Sequence, residues 1–322
     1  PDAEQLSVGF FAEDNWKLND ALTLNLGLRL DYLNTEADPM YVVNPLTDSP
    51  SPPPPPSIGF IGTNSTKQHG RTDESDLGWH LHAGLTWKMT PAWSQSLLLA
   101  SSYRAADVME RFKYINLSGV GILYGNPDLD PERSLYAEYG LRYDENPLRA
   151  ELRLFANIVT DYISEKRIDA STIRMENVDD TRIYGVELEP RWQFLENWAL
   201  FGNATWLYGK DENTGRALPG VAPVSGRVGI DFSHENGFWA KADTFMIAPQ
   251  RHTPEGVDDT KGIITLNAAA GWRFETGRLK HDISLVIDNI LDTRYYNYLA
   301  HQRGYTVWEP GISASLNYSV AF

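Results

Sequence analysis

The sequence predicts an all-β protein, a transmembrane antiparallel β-barrel with about 13 strands in this chain. Three observations predict this fold. Apolar and polar residues alternate with a period of two over long segments, tight turns alternate with long connections along the chain, and most tryptophans lie beside the tight turns.

The C-terminal segment shows the alternation most clearly. From Ile312 to Phe322 every second residue is apolar, and the residues between them are small or polar. The segment 148–158 repeats the pattern, with Arg149, Glu151 and Arg153 on its polar face. A period of two is the geometry of a two-faced strand. Charges in the middle of a strand favour a water-filled lumen over the interior of a soluble sandwich.

The connections between the predicted strands fall into two classes. Short turns with turn-forming residues, such as Asn19-Asp20 and Glu235-Asn236, alternate with long segments such as 35–76 and 106–133. Outer-membrane barrels have this asymmetry, with tight periplasmic turns and long extracellular loops. The predicted strands are 5–16, 20–34, 77–89, 94–105, 134–144, 148–163, 173–192, 197–209, 223–234, 237–248, 262–274, 278–290 and 311–322.

Seven tryptophans lie within a few residues of the short turns. Amphipathic rings are favourable at a membrane–water interface, so this clustering predicts an aromatic girdle at one rim of the barrel. The seven are Trp16, Trp87, Trp93, Trp192, Trp198, Trp239 and Trp272.

Composition excludes several classes of function. The chain has 43 acidic and 28 basic side chains, a formal charge of −15 and no cysteine. It therefore has no basic tract for nucleic acid, and no thiolate for a zinc ribbon or an iron–sulfur cluster. The motifs of serine hydrolases, zinc proteases, P-loop proteins and EF-hands are absent, so we expect no enzyme and no covalently bound cofactor.

The strand count predicts that the chain is one part of a larger barrel. Single-chain bacterial barrels have an even number of strands, and an open edge in lipid leaves backbone groups without partners. Residues 1–322 are therefore expected to be the C-terminal part of a transmembrane barrel domain whose first strands lie upstream.

Five segments resemble motifs of the TonB-dependent outer-membrane receptors, and the resemblance covers essentially the whole chain. They are Tyr103-Arg104-Ala105-Ala106 with Gly125-Asn126-Pro127-Asp128-Leu129-Asp130-Pro131-Glu132, Asn177-Val178-Asp179 with Tyr184-Gly185-Val186-Glu187-Leu188-Glu189, Leu218-Pro219-Gly220-Val221-Ala222-Pro223, Asp288-Asn289-Ile290-Leu291-Asp292-Thr293-Arg294-Tyr295, and Glu309-Pro310-Gly311.

The resemblance implies a plugged barrel of about 22 strands in the bacterial outer membrane. It also implies ligand-gated active uptake of a scarce nutrient, with an iron complex such as a ferric siderophore as the expected cargo. The implied partners are an N-terminal plug with the first barrel strands, the TonB energy-transducing complex, outer-membrane lipid and lipopolysaccharide, and the barrel-assembly machinery acting on the C-terminal Phe322.

His80 and His82 are the sharpest local feature for ligand binding. They stand two residues apart on the face of strand 77–89 that we expect to line the lumen, because Leu77, Trp79 and Leu81 occupy the other face. Two imidazoles on one wall can bind a metal or haem iron. The alternative is ordinary polar lining, since no third ligand is close in sequence.

A second candidate site lies in the long connection 106–133. Arg111, Phe112, Lys113, Tyr114 and Tyr124 combine cations with aromatic rings, which suits an anionic aromatic ligand such as a ferric catecholate. The alternative is that these residues only pack the loop.

Other cargoes and other functions remain open from sequence. Haem receptors of the family usually carry a histidine between the two halves of the first motif, and here none lies between Arg104 and Asn126. The five methionines are dispersed, which does not favour copper, and cobalamin is a further option. A passive porin of about 12–14 strands and a barrel serving as an adhesin or anchor are alternatives. The proline tract 52–56 predicts a mobile extracellular flap.

Overall fold

The structure is a computed structural model of the chain. It describes residues 2–42, 66–69, 72–117, 121–169, 172–178, 180–254, 256–302 and 306–322. The predicted flap with Pro52–Pro56 lies outside these residues. Within them, no helix is long and apolar enough to cross a membrane.

The chain folds almost entirely into antiparallel strands. In chain order the elements are β1 (Ala3–Lys17), β2 (Leu22–Ala37), β3 (Met40–Val42), β4 (Thr66–His69), β5 (Thr72–Lys88), β6 (Trp93–Arg104), α1 (Val108–Phe112), β7 (Tyr114–Leu117), β8 (Gly121–Tyr124), β9 (Glu132–Glu145), β10 (Leu148–Thr160), β11 (Tyr162–Arg167), β12 (Thr172–Val178), β13 (Thr181–Leu195), β14 (Trp198–Asp211), β15 (Ser225–Ser233), β16 (Phe238–Ile247), β17 (Ile263–Thr276), β18 (Leu279–Asp288), α2 (Tyr298–Gln302) and β19 (Ser313–Ala321).

One large sheet forms the barrel wall. It has 13 strands in the order β1-β2-β5-β6-β9-β10-β13-β14-β15-β16-β17-β18-β19, which confirms the predicted number and the all-β fold. Each strand pairs antiparallel with the next barrel strand along the chain. The connections alternate between short turns at one end of the wall, such as 196–197, and long segments at the other, such as 105–131.

The two faces of the wall are chemically distinct. Cross-strand partners share a face, so Phe238, Trp272, Ile283 and Tyr318 form one row across four strands. All four are exposed on the apolar side, which we call the outer face. Alternate side chains of a strand point to opposite sides, so the opposite, lumenal face carries charged residues such as Arg149, Glu151 and Arg153 of β10.

Trp239 corrects the predicted girdle. The other six tryptophans of the set are exposed large hydrophobic residues, but Trp239 is not. It pairs with Gly271 in the row next to Phe238 and Trp272, and therefore points to the lumenal side. There the guanidinium carbon of Arg273 lies 5.3 Å from the centroid of the Trp239 ring. Nearness to a turn does not fix the face of a residue, whereas strand parity does.

Two predicted strands need correction as well. The predicted strand 173–192 is two strands, β12 and β13, and only β13 belongs to the barrel wall. The predicted strand 148–163 ends at Thr160, where Asp161 adopts a left-handed backbone with φ of 56°. Aspartate tolerates this conformation better than most residues, so the chain leaves the wall without a glycine.

The long connections contain structure that the sequence does not predict. Strands β11, β12, β8 and β7 form a second sheet in that order, and β12 pairs with β8 in parallel. We call this sheet together with helix α1 the cap. Its apolar core includes Ile163 and Met175, which pack with Ala106 and Leu129 of the connecting segments. The cap stands at the end of the wall where the long connections lie.

Candidate ligand-capture site and lumenal wall

His80 and His82 lie on the lumenal face of β5. Their partners on β2 are Arg29 and Gly27, whereas Trp79 and Leu81 point to the outer face and are exposed. The Nε2 atom of His82 is 2.6 Å from the Oδ1 atom of Asn25, and its ring covers Gly27, which leaves no room there for a Cβ atom. This placement agrees with the lumenal position expected from sequence.

His80 belongs to a different polar group. Its Nε2 atom lies 3.3 Å from Oδ2 of Asp31, and the Arg29 guanidinium donates two hydrogen bonds of 2.7 Å to the same carboxylate. Each histidine therefore has its own partner on β2. Within the described ranges, no group of three or more His, Asp or Glu side chains is arranged to hold a metal ion.

The lumenal placement can be tested by labelling single cysteines, because the chain has no cysteine of its own. We expect His80→Cys to react with a membrane-impermeant thiol reagent and Leu81→Cys, its outward neighbour, to react with a lipid-soluble reagent alone. Mass spectrometry of the protein in outer membranes reads out both reactions. Labelling of His80→Cys by the lipid-soluble reagent alone would contradict the assignment of faces.

Arg111 and Phe112 are structural parts of the cap. They end helix α1, whose first turn is closed by reciprocal hydrogen bonds between Asp107 and Glu110. Both side chains are buried, at 3% and 4% exposure. The Arg111 guanidinium donates a 2.6 Å hydrogen bond to the carbonyl of Pro127 and lies 3.3 Å from the Asp76 carboxylate. Their surroundings match the packing alternative.

Lys113, Tyr114 and Tyr124 lie together at one edge of the cap. The Nζ atom of Lys113 is 3.4 Å from the carboxylate of Glu165 on β11, so it bridges the two connections that build the cap. The rings of Tyr114 and Tyr124 meet edge to face with centroids 5.2 Å apart. Burial, and next the neighbouring Tyr114, raises the pKa of the Tyr124 phenol.

Glu132 joins the cap to the barrel. It is buried at the start of β9, and its carboxylate accepts two hydrogen bonds, of 2.6 and 2.8 Å, from the guanidinium of Arg104 at the end of β6. The same carboxylate accepts a 2.8 Å hydrogen bond from the backbone N–H of Ile163 on β11. The remaining Nη1 of Arg104 donates to Glu110 of α1. The wall strands β6 and β9 and the two long connections that build the cap therefore meet at the ion pair of Arg104 and Glu132.

Two asparagines complete the attachment. The amide of Asn177 on β12 donates to the carbonyls of Asp130 and Asp161, and its oxygen accepts the N–H of Asp130. The Oδ1 atom of Asn126 accepts a 2.9 Å hydrogen bond from Arg174. These bonds connect segments about 50 residues apart in sequence, with separations of 47 and 48. The two cap segments therefore form a single unit.

The lumenal wall below the cap is a lattice of paired charges. Asp243, 6% exposed, accepts hydrogen bonds of 2.5 Å from Arg227 and 2.9 Å from Asn267. Arg191 on β13 reaches across β14 and donates two hydrogen bonds to Asp231 on β15. Such a wall is polar, which suits the passage of a hydrophilic solute.

Residues 1–290 match the family model described as "TonB dependent receptor-like, beta-barrel". The chain belongs to the TonB-dependent receptors. Proteins of this family are transporters of the outer membrane, so the expectations of an outer-membrane location and of a non-enzyme are confirmed.

Curated relatives match part of this TonB-dependent receptor chain. The heme/hemopexin utilization protein C of Haemophilus influenzae is 28% identical over 240 residues, covering 66% of this chain and 33% of the relative. The iron-regulated outer membrane virulence protein of Vibrio cholerae is 27% identical over 162 residues, covering 45% of this chain and 25% of the relative. The matched region thus corresponds to a third or less of these proteins.

Solved structures of TonB-dependent receptors share the fold over nearly the whole chain. The copper transporter OprC superposes with a TM-score of 0.80 at 21% identity, covering 99% of this chain and 48% of that one. The ferric yersiniabactin uptake receptor FyuA from Yersinia pestis superposes with a TM-score of 0.64 at 18% identity, covering 99% and 46%. At these identities the likeness concerns the fold alone.

The hydrogen bonds that attach the cap to the barrel wall come from residues of the family motifs. Arg104, Asn126, Glu132 and Asn177 all belong to segments recognised from sequence, and each one makes a bond between cap and wall or within the cap. Their partners could not be named from sequence, because the hydrogen bonds join residues far apart in the chain. The side chain of Asp179, in the same motif as Asn177, lies outside the described residues.

Proposed function

We propose that the protein takes part in gated, energised uptake of a scarce nutrient across the outer membrane, with a ferric siderophore as cargo. The observation that carries the proposal is the cap, which holds Lys113, Tyr114 and Tyr124 above a polar lumen. A cation next to phenol rings suits a ligand that is both anionic and aromatic. Family membership disfavours the passive porin.

The names of the relatives support an iron-containing cargo. They include a ferric catecholate receptor, a ferric enterobactin receptor and an iron-regulated protein, although heme utilization proteins and a copper transporter are also among them. The absence of a histidine between Arg104 and Asn126 favours the siderophore over haem. His80 and His82 would then line the path and keep it hydrated.

The partners of this uptake are part of the proposal. An N-terminal plug would fill the lumen against the charged wall, and the TonB complex would supply energy from the inner membrane. The apolar, fully exposed Phe322 at the end of β19 would be presented to the barrel-assembly machinery. Lipid and lipopolysaccharide would surround the outer face.

Uptake of labelled cargo by whole cells tests the proposal. Cells that carry the protein in their outer membrane are given iron-55 as a catecholate complex, and parallel cultures receive haem, cobalamin or copper. We expect iron-55 to accumulate, and accumulation to stop when the proton-motive force is dissipated. Uptake of only another cargo would replace the siderophore. Accumulation that is insensitive to the proton-motive force would refute energised transport.

A further inference from the structure

Three aromatic rings on the lumenal face of the wall each have a cation stacked on them. They belong to four adjacent strands, β14, β15, β16 and β17. The distance from the cationic group to the ring centroid is 4.4, 5.4 and 5.3 Å in the pairs Lys241–Phe201, Arg227–Phe245 and Arg273–Trp239, respectively. We call these six residues the cation–aromatic column.

Strand pairing fixes the face and the order of the column. Phe201 pairs with Arg191 of the lumenal wall. Phe245, Lys241 and Trp239 stand at even spacings on β16 and therefore share its lumenal face. Phe245 lies near the end of β16 that leads into a long connection, and Trp239 lies beside a short turn. At about 3.4 Å per residue, the column covers about 20 Å of the lumen from the cap end downward.

Two of the rings lie flat against the wall. Phe201 covers Gly229 and Trp239 covers Gly271, where an added Cβ atom would come within 2.4 and 2.7 Å of the rings. One face of each ring is therefore occupied by the wall, and the other is directed to the lumen. The cation stands on that second face, because it belongs to a lumenal side chain of a neighbouring position.

The cations of the column are turned further into the lumen than the carboxylates that neutralise them. Asp243 is 6% exposed, whereas its partners Arg227 and Lys241 are 38% and 43% exposed. Arg273 is likewise more exposed than its partner Asp282. Stacking on a ring orients a cation but leaves its N–H groups able to bind an oxyanion. The column therefore presents hydrogen-bond donors and aromatic rings together at three successive levels.

We propose that the cation–aromatic column binds anionic aromatic solutes while they pass through the lumen. The oxyanions of the solute accept hydrogen bonds from the cations, and its ring stacks on the guanidinium groups and aromatic side chains. Several weak sites in series suit transit, because a solute must be able to leave each site as well as enter it. The inference rests on the proposed function, since a ferric catecholate is both anionic and aromatic.

Separate measurements of capture and of uptake test the proposal. Capture is the dissociation constant of the iron-55 catecholate complex on cells whose proton-motive force is dissipated, and uptake is the maximal rate in energised cells. The combined variant Phe201→Leu, Phe245→Leu and Trp239→Leu removes the rings and keeps the cations. We expect its dissociation constant to stay unchanged and its maximal rate to fall about fivefold or more.

A single ring outside the column provides the matched control. Phe155 is also lumenal and covers Gly185, but among the described residues its ring partner is Tyr136 and no cation is stacked on it. Phe201→Leu should lower the maximal rate about twofold or more, whereas Phe155→Leu should not change it. Equal rates in these two variants would show that the rings only pack the wall. A weaker capture by the combined variant would place its effect outside the lumen and overturn the column as well.

A charge variant keeps the test decisive if the combined variant does not fold. Lys241→Gln retains all three rings and should slow uptake. Arg153→Gln removes a lumenal cation of similar exposure, which pairs with Glu151 and Glu187 and has no stacked ring among the described residues, and should not slow it. Equal maximal rates would overturn the column. If unmodified cells neither capture nor take up the complex, the proposed cargo is refuted and the column falls with it; normal uptake that no variant slows refutes the column alone.

Discussion

Replacing Glu132 with alanine is expected to detach the cap from the barrel wall while leaving the wall folded. The substitution removes two hydrogen bonds to Arg104 and one to the N–H of Ile163, which is itself buried. A buried donor that loses its acceptor costs about 1–3 kcal/mol, and the half-exposed Arg104 regains water. We therefore expect local opening of the cap to become easier by about 2 kcal/mol.

Hydrogen exchange monitored by mass spectrometry measures this opening. The amide of Ile163 and the peptides of β11 and β12 should exchange about tenfold faster or more in Glu132→Ala. Glu165→Ala is the matched control, because Glu165 is largely exposed and contacts Lys113 at 3.4 Å. An exposed ion pair contributes at most about 1 kcal/mol, so the control should change little. Similar exchange in both variants would show that Glu132 does not anchor the cap.

Replacing Asn289 with alanine should weaken the closing segment of the chain. Asn289 is 5% exposed and has a left-handed backbone with φ of 50°. Its amide donates to the carbonyls of Thr293 and Pro310, and its oxygen accepts the N–H of Thr293. Alanine loses these bonds and is unfavourable at positive φ, so we expect a loss of about 3 kcal/mol in the free energy of unfolding.

Urea unfolding in detergent, followed by tryptophan fluorescence, measures this loss. Asn289→Gly separates the two causes, because glycine accepts the backbone conformation but lacks the amide. It should recover about 1 kcal/mol relative to alanine. Asn297→Ala lies in the same connection and removes only exposed bonds to Ala300 and Glu309, so its effect should stay below about 1 kcal/mol. A loss as large as that of Asn289→Ala would refute the special role of Asn289.

The barrel wall could be predicted from sequence because its rules are local. A period of two identifies a strand, and residues such as Glu196-Asn197 identify the turn that follows, so all 13 wall strands appear in the prediction. Errors arose where a local signal was ambiguous. Thr172–Val178 and Thr181–Leu195 both have strand character, and no glycine or proline separates them. The distance of Trp239 from a turn predicts the outer face, whereas its parity in the strand puts it on the lumenal face.

The cap could not be predicted, because nonlocal pairing creates it. Strands β7 and β8 are four residues long, too short for a periodic pattern, and β8 is completed by a parallel partner from the next long connection. The sequence shows that Lys113, Tyr114 and Tyr124 belong to the same long connection, but it does not show that their side chains lie together in one cluster. The burial of Arg111 and Phe112 depends on Pro127 and Asp76, which nothing in the local sequence indicates.

The pairing of strands also orders the assembly of the molecule. In the wall each strand contacts the one before it in barrel order, so the wall can grow hairpin by hairpin with short-range loop closures. The parallel contact between β8 and β12 needs two connections at once, and these emerge from opposite sides of the hairpin β9–β10. We therefore expect the cap to form after the hairpin β9–β10 that it spans, as a late step of folding.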